Sequence, residues 1–147
     1  MKDIFQLLQD NLEFNHILLN QDDRIAQETI VTILPSDLFG EDRTMSFTLL
    51  PLDDIATSDV KFLQFYSQLP SDIRSDQSNK VVEEINALNA TMPIGNLMVH
   101  NDEIGMRYIF PLYTDLREGK EPLLEALGLF LITLDSVTLA LKKNIFD

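Results

Sequence analysis

Two histidines, five adjacent carboxylate pairs and one strand arginine are the side chains here whose types could do chemistry. His16 and His100 stand apart, and neither belongs to an H-x-x-x-H set that would bring two imidazoles onto one helical face for a metal. Each reads as a surface or strand histidine. The carboxylate pairs Asp22-Asp23, Glu41-Asp42, Asp53-Asp54, Glu83-Glu84 and Asp102-Glu103 have the composition for cation binding or for paired acid and base work. Four of them fall in expected loops or turns and Glu83-Glu84 on an exposed helix face, which favours solvated charge. Arg107 sits on the polar side of a strand, where a salt bridge is the expected role rather than anion recognition.

None of the five glycines belongs to a G-x-S-x-G elbow, a G-x-x-x-x-G-K-[ST] loop or a G-x-G-x-x-G turn. Asn101-Asp102-Glu103 lacks the later oxygen ligands of a calcium loop. With no assembled nucleophile, base or oxyanion site, the sequence offers no catalytic residue, metal ligand or cofactor-binding residue, and it reads as a binding protein rather than an enzyme. The alternative is a small-ligand-binding or catalytic domain with a carboxylate-containing pocket between sheet and helices.

The elements that must position any site are organised around residues 80 to 113. Val81, Val82, Ile85 and Leu88 recur at helical intervals, and Ser75, Asp76 and Ser78 offer N-cap oxygens. Pro93 stops this helix at Met92, and Gly95 permits a tight bend or a close backbone approach. Leu97 and Val99, then Ile104, Met106, Tyr108, Phe110 and Leu112, alternate with other residues as two strands of a hairpin. Facing residues share a side of the sheet, so Leu97 and Val99 need even-numbered partners such as Tyr108 and Met106, and the loop must be even in length. Pro111 cannot donate to a ladder, which predicts an edge strand or a strand end there.

Upstream, Ile4, Phe5, Leu8 and Leu12 predict a first helix over about residues 2 to 14. Ile17-Leu18-Leu19 is a candidate for a brief strand. Strands are expected from Glu28 to Leu34, through Met45, Phe47 and Leu49, and from about Val60 to Leu69, ended by Pro35, Pro51 and Pro70-Ser71-Asp72. Downstream, a final helix is predicted after Gly119, with Pro122 in its first turn. Leu123, Leu127, Phe130, Leu134, Val137 and Leu141 form one apolar stripe, and Leu129, Ile132 and Leu139 a second on another side. Only Asp135 is charged between Ala126 and Leu141, so this helix needs cover on more than one side. The order is α-β-β-β-α-β-β-α, an α+β fold with an antiparallel sheet and helices packed against it.

At 147 residues the chain suits one domain, 1–147, with a single core. The formal net charge of −13 opposes phosphate backbones and anionic lipid, so neither nucleic acid nor a membrane surface is an expected partner. The first 59 residues hold 12 acidic against three basic side chains, a net of −9. No cysteine is present, and Asp3 follows Lys2 where a signal peptide would continue apolar, which points to the cytoplasm. A transmembrane reading of the last helix is set aside because Glu125 and Asp135 interrupt it. Its spare face is expected to form a homodimer or receive an unknown client, with Leu129, Ile132 and Leu139 as protein-binding residues. The other option is a helix buried wholly within its own chain.

The stretch Leu63 to Pro70, LQFYSQLP, followed by Ile85 to Ala90 and Met92-Pro93-Ile94-Gly95, resembles the YbjN-like family of bacterial proteins. The likeness runs over about residues 60 to 143, through the Arg107-Tyr108 strand and the final helix. The resemblance implies the fold of type III secretion chaperones, a dimer, no established active site and a chaperone-like or regulatory role. Asn89, Pro93 and Gly95 match the pattern as structural residues: a helix end, a stop and a bend.

Overall fold

The computed structural model describes residues 2–11, 15–22, 27–34, 43–50, 60–69, 75–113 and 116–146. Helix α1 is Lys2–Asn11, and four strands follow: β1 (Asn15–Asp22), β2 (Gln27–Leu34), β3 (Arg43–Leu49) and β4 (Val60–Gln68). A 3-10 turn, Ser75–Gln77, leads into α2 (Ser78–Thr91), then β5 (Asn96–His100), β6 (Glu103–Tyr113) and α3 (Leu116–Leu141), which ends in a π-helical turn, Lys142–Phe146. The α+β class and the helix-covered antiparallel sheet are as expected. The Ile17-Leu18-Leu19 run lies in β1, a full strand, so the sheet has six strands in the order β1-β2-β3-β4-β6-β5. Leu12, Pro35, Pro51, Pro70-Ser71-Asp72 and the loops over 36–42 and 53–59 lie outside the described residues.

Register explains which side of the sheet is covered. Thr32, Met45, Ser67, Met106 and Leu97 form one cross-strand row, and Ile30, Phe47, Phe65 and Tyr108 the next. These rows are buried, apart from the half-buried Tyr108, and the large side chains join one core with Ile4 and Leu8 of α1, Val81 and Ile85 of α2, and the Leu123-to-Leu141 stripe of α3. Phe65 is its hub, meeting Phe47 at 5.3 Å and Phe130 at 5.7 Å edge-to-face and stacking on Phe110 at 6.3 Å. Removing that ring would forfeit contacts to strand and helix layers at once.

Asn101 and Asp102 both take positive φ, 50° and 61°, and make a two-residue turn of the kind that matches strand twist. The even loop is confirmed, with the partners two residues nearer the turn: Leu97 faces Met106 and Val99 faces Ile104. Val99, beside the turn on an edge strand, is nonetheless exposed.

Pro111 is not at a strand end, and β6 is an inner strand of the sheet, but its stretch beyond Arg107 has no described strand on the β5 side. It lies within β6 opposite Phe62, whose carbonyl accepts from Leu50 N–H on the β3 side. A residue's N–H and C=O point the same way, so the Phe62–Pro111 pair exchanges no bonds, and the proline nitrogen faces the side that β5, paired only up to Arg107, leaves open.

Two helix starts also differ from the pattern. The N-cap of α2 is Gln77, which makes no side-chain cap bond and instead donates to the Ile145 carbonyl at 3.3 Å. Val82, one position round from the buried Val81, is exposed. Helix α3 begins at Leu116, so Gly119 and Pro122 lie inside it. Lys120, Glu121 and Pro122 are exposed, which lets water satisfy the carbonyl that the proline leaves without a partner.

Candidate protein-contact face

The motif residues 89 to 95 build the joint between α2 and the β-hairpin. Met92 turns extended, with φ −67° and ψ 133°, as Pro93 requires, and Gly95 takes φ +73°. A Cβ on Gly95 would stand 2.8 Å from the Arg107 carbonyl oxygen, so bend and close approach coincide. Asn89 does more than end a helix. Its Nδ2 donates to the Leu97 carbonyl at 3.1 Å and its Oδ1 accepts from Leu97 N–H at 2.7 Å. One side chain thereby satisfies both outward backbone groups of Leu97 on the edge strand and blocks pairing there.

Helix α3 has two unlike sides. Leu123, Leu127, Phe130, Leu134, Val137 and Leu141 are buried, while Leu129, Ile132 and Leu139 are 51%, 66% and 54% exposed. The described residues therefore leave one side of the helix uncovered. Among the described residues the other large exposed apolar side chains, Val82, Val99 and Ile109, are scattered over α2, β5 and β6. The other side of the sheet is mixed, with the Thr29–Thr48 contact at 3.2 Å, Ser46 and Gln64 beside half-buried Val31, Ile33, Phe62 and Met98 and exposed Ile109, whereas each of the three α3 residues is more than half exposed.

Asp135 is anchored rather than free. Its Oδ1 accepts from Arg43 Nη2 at 2.8 Å, and Arg43 is buried while the carboxylate is half exposed. Among the described residues Arg43 Nε and Nη1 are buried without hydrogen-bond partners. This ion pair fastens α3 to the first residue of β3 and leaves the guanidinium under-satisfied.

The residues singled out for chemistry are dispersed. His100 is exposed at the end of β5 opposite Glu103, and His16 lies in β1, its side chain outside the described ones. Glu41-Asp42 and Asp53-Asp54 lie outside the described residues, as do Asp23 and the Asp22 side chain. Glu83 is exposed, but Glu84 is half-buried and accepts from Asn144 Nδ2 at 2.7 Å, tying the last turn to α2. Asp102 and Glu103 are exposed at the hairpin. Among the described residues Arg107 has no ion-pair partner, and its cross-strand neighbours Tyr66 and Asn96 are uncharged. Among the described residues no carboxylate is buried, and no three metal-binding side chains gather.

Tyr66 lies over Gly105 on the uncovered sheet face, where the glycine's missing Cβ makes room for the ring. Burial, and then the nearby Glu103 carboxylate, raise its phenol above the ordinary 10.0.

Against family models, curated proteins and solved structures the chain finds no match.

By length and composition α3 with its final turn, Gly119–Ile145, is apolar enough to cross a bilayer, at a mean hydropathy of 1.8. Its buried stripe, however, forms part of the domain core, and Asp135 in its middle is paired with a β3 residue.

Proposed function

We propose that this chain is a non-enzymatic protein-binding domain of chaperone-like or regulatory type, whose contact surface is the exposed side of α3. The observation that carries the reading is the bare stripe of Leu129, Ile132 and Leu139, each more than half exposed on a helix whose opposite side is core. Contiguous apolar surface of this kind is costly to leave in water and is typical of contact sites. A net charge of −13 supports polypeptide partners over nucleic acid or anionic lipid. The YbjN-like resemblance and a cytoplasmic setting belong to the same proposal, as does activity without cofactor or metal.

A photo-crosslinking residue at Ile132, introduced into the full chain in its source cell, tests this. Covalent adducts to a defined polypeptide, whether another protein or the chain itself, are expected, and the same probe at exposed Glu83 on α2 should give none. Absence of adducts at Ile132, or equal labelling at both positions, overturns the reading.

A further inference from the structure

The bare stripe of α3 has an acidic setting. Glu125 stands four residues before Leu129 and Glu121 four before that, and both are exposed on the same side of the helix. Asp135 lies at the rim, three residues after Ile132 and four before Leu139, with its side chain 50% exposed. Arg43 holds only its Oδ1, from the β3 side, so the carboxylate is fixed in place with its other oxygen free to accept. Among the described residues neither Glu121 nor Glu125 has an ion-pair partner. Lys143 is the one described cation in line with the stripe, and it stands beyond Leu139 in the π-helical turn. Lys120 and Lys142 lie further round the helix by the 3.6-residue count. Between Glu121 and Leu139 this side is therefore apolar and acidic only.

We propose that the occupant of this side is a cationic amphipathic helix of a partner polypeptide, with aliphatic side chains on the stripe and lysine or arginine side chains over Glu121, Glu125 and Asp135. Backbone chemistry selects a helix. The N–H and C=O groups of α3 are bonded along its own axis, so this side has no edge on which an extended segment could pair. A segment laid over Leu129, Ile132 and Leu139 must satisfy its own backbone, which a helix does. Charge selects the sign: the net charge of −13 draws cationic segments from a distance, and the three carboxylates fix them beside the stripe. A segment with acidic flanks meets like charge there. The inference rests on the protein-binding reading and names the chemistry of the partner.

Two synthetic helical peptides of about 18 residues, long enough to run from Glu121 to Leu139, are the probes. They carry the same leucines at four-three spacing, with lysines between them in one and glutamates in the other. Binding to the full chain is read by fluorescence anisotropy at physiological salt, where distant charge is screened. The lysine peptide is expected to bind at least about tenfold more tightly than the glutamate peptide. Glu121→Lys with Glu125→Lys should weaken the lysine peptide about tenfold, and Ile132→Ser should weaken it as well. Glu83→Lys with Glu103→Lys makes the same change of net charge at exposed sites on α2 and the hairpin, and should leave its affinity within about twofold.

Equal binding of the two peptides overturns the inference, as does equal weakening by the two double variants, which would show a general field rather than this side of α3. An Ile132 crosslink to a second copy of the chain also overturns it. In each of those cases an Ile132 adduct in the source cell leaves the protein-binding reading standing. Absence of any Ile132 adduct removes both.

Discussion

Arg43 and Asp135 show how one pair constrains the design. A guanidinium buried with two nitrogens unpartnered gains little from its half-exposed carboxylate, yet loses much if that carboxylate goes. Asp135→Ala is expected to destabilise the chain by about 2 kcal/mol, and Arg43→Met by less than about 1 kcal/mol. Urea unfolding of the two variants measures the asymmetry, and equal losses would mean that the pair itself stabilises the fold. In the sequence Asp135 stands out only as the lone charge in an apolar helix. Its partner lies 92 positions away, and pairing at that range is not legible from local pattern.

Tyr66 gives a pH dependence whose sign follows from its surroundings. Its phenol is raised in the folded chain by burial and by Glu103, so the folded state holds its proton more tightly than the unfolded state does. That contribution to stability is complete below the ordinary value of 10.0 and is lost as pH rises through the folded value. Glu103→Gln should lower the midpoint of the phenol titration, read by absorbance at alkaline pH, and an unchanged midpoint would discount the carboxylate. Arg107 was expected to find a salt bridge from its polar strand position alone. Side-chain type and strand parity do not reveal that its neighbours in the row are Tyr66 and Asn96.

At the scale of elements, the joint from α2 to β5 was the most legible part. Pro93 and Gly95 act through the backbone, where the steric rules are local, and the stop and bend stand where the sequence puts them. Asn89 was legible only as part of a motif, because its clamp on Leu97 depends on how the hairpin folds back. Asn89→Ala leaves both Leu97 groups unpaired and is expected to cost about 1 to 3 kcal/mol. Hydrogen exchange at Leu97 N–H should rise more than at β4 amides, and unchanged protection there would show that the clamp is dispensable.

The start of α3 was misplaced because Pro122 imitates a first-turn proline, whereas exposure lets the helix accept it one turn further in. Strand β1 was visible only as a short apolar run, since its polar ends carry no alternation. The two stripes of α3, by contrast, separate on periodicity alone, and burial divides them along the same residues.

For the whole molecule, the sequence defines an apolar excess, and the fold shows where it remains uncovered. Among the described residues, three helices on one side of a six-stranded sheet bury the inner stripe of α3 and leave its outer stripe exposed. Composition could not choose between a helix enclosed by its own chain and one open on a side, because that depends on how many layers the domain has.

Site-specific photo-crosslinking from Leu129, Ile132 and Leu139 of the full chain in its source cell, beside the same probe at exposed Glu83, tests the central claim most directly. The three α3 positions are expected to give adducts to one and the same polypeptide, and Glu83 none. No adduct from any of the three, or equal labelling at Glu83, would contradict the account.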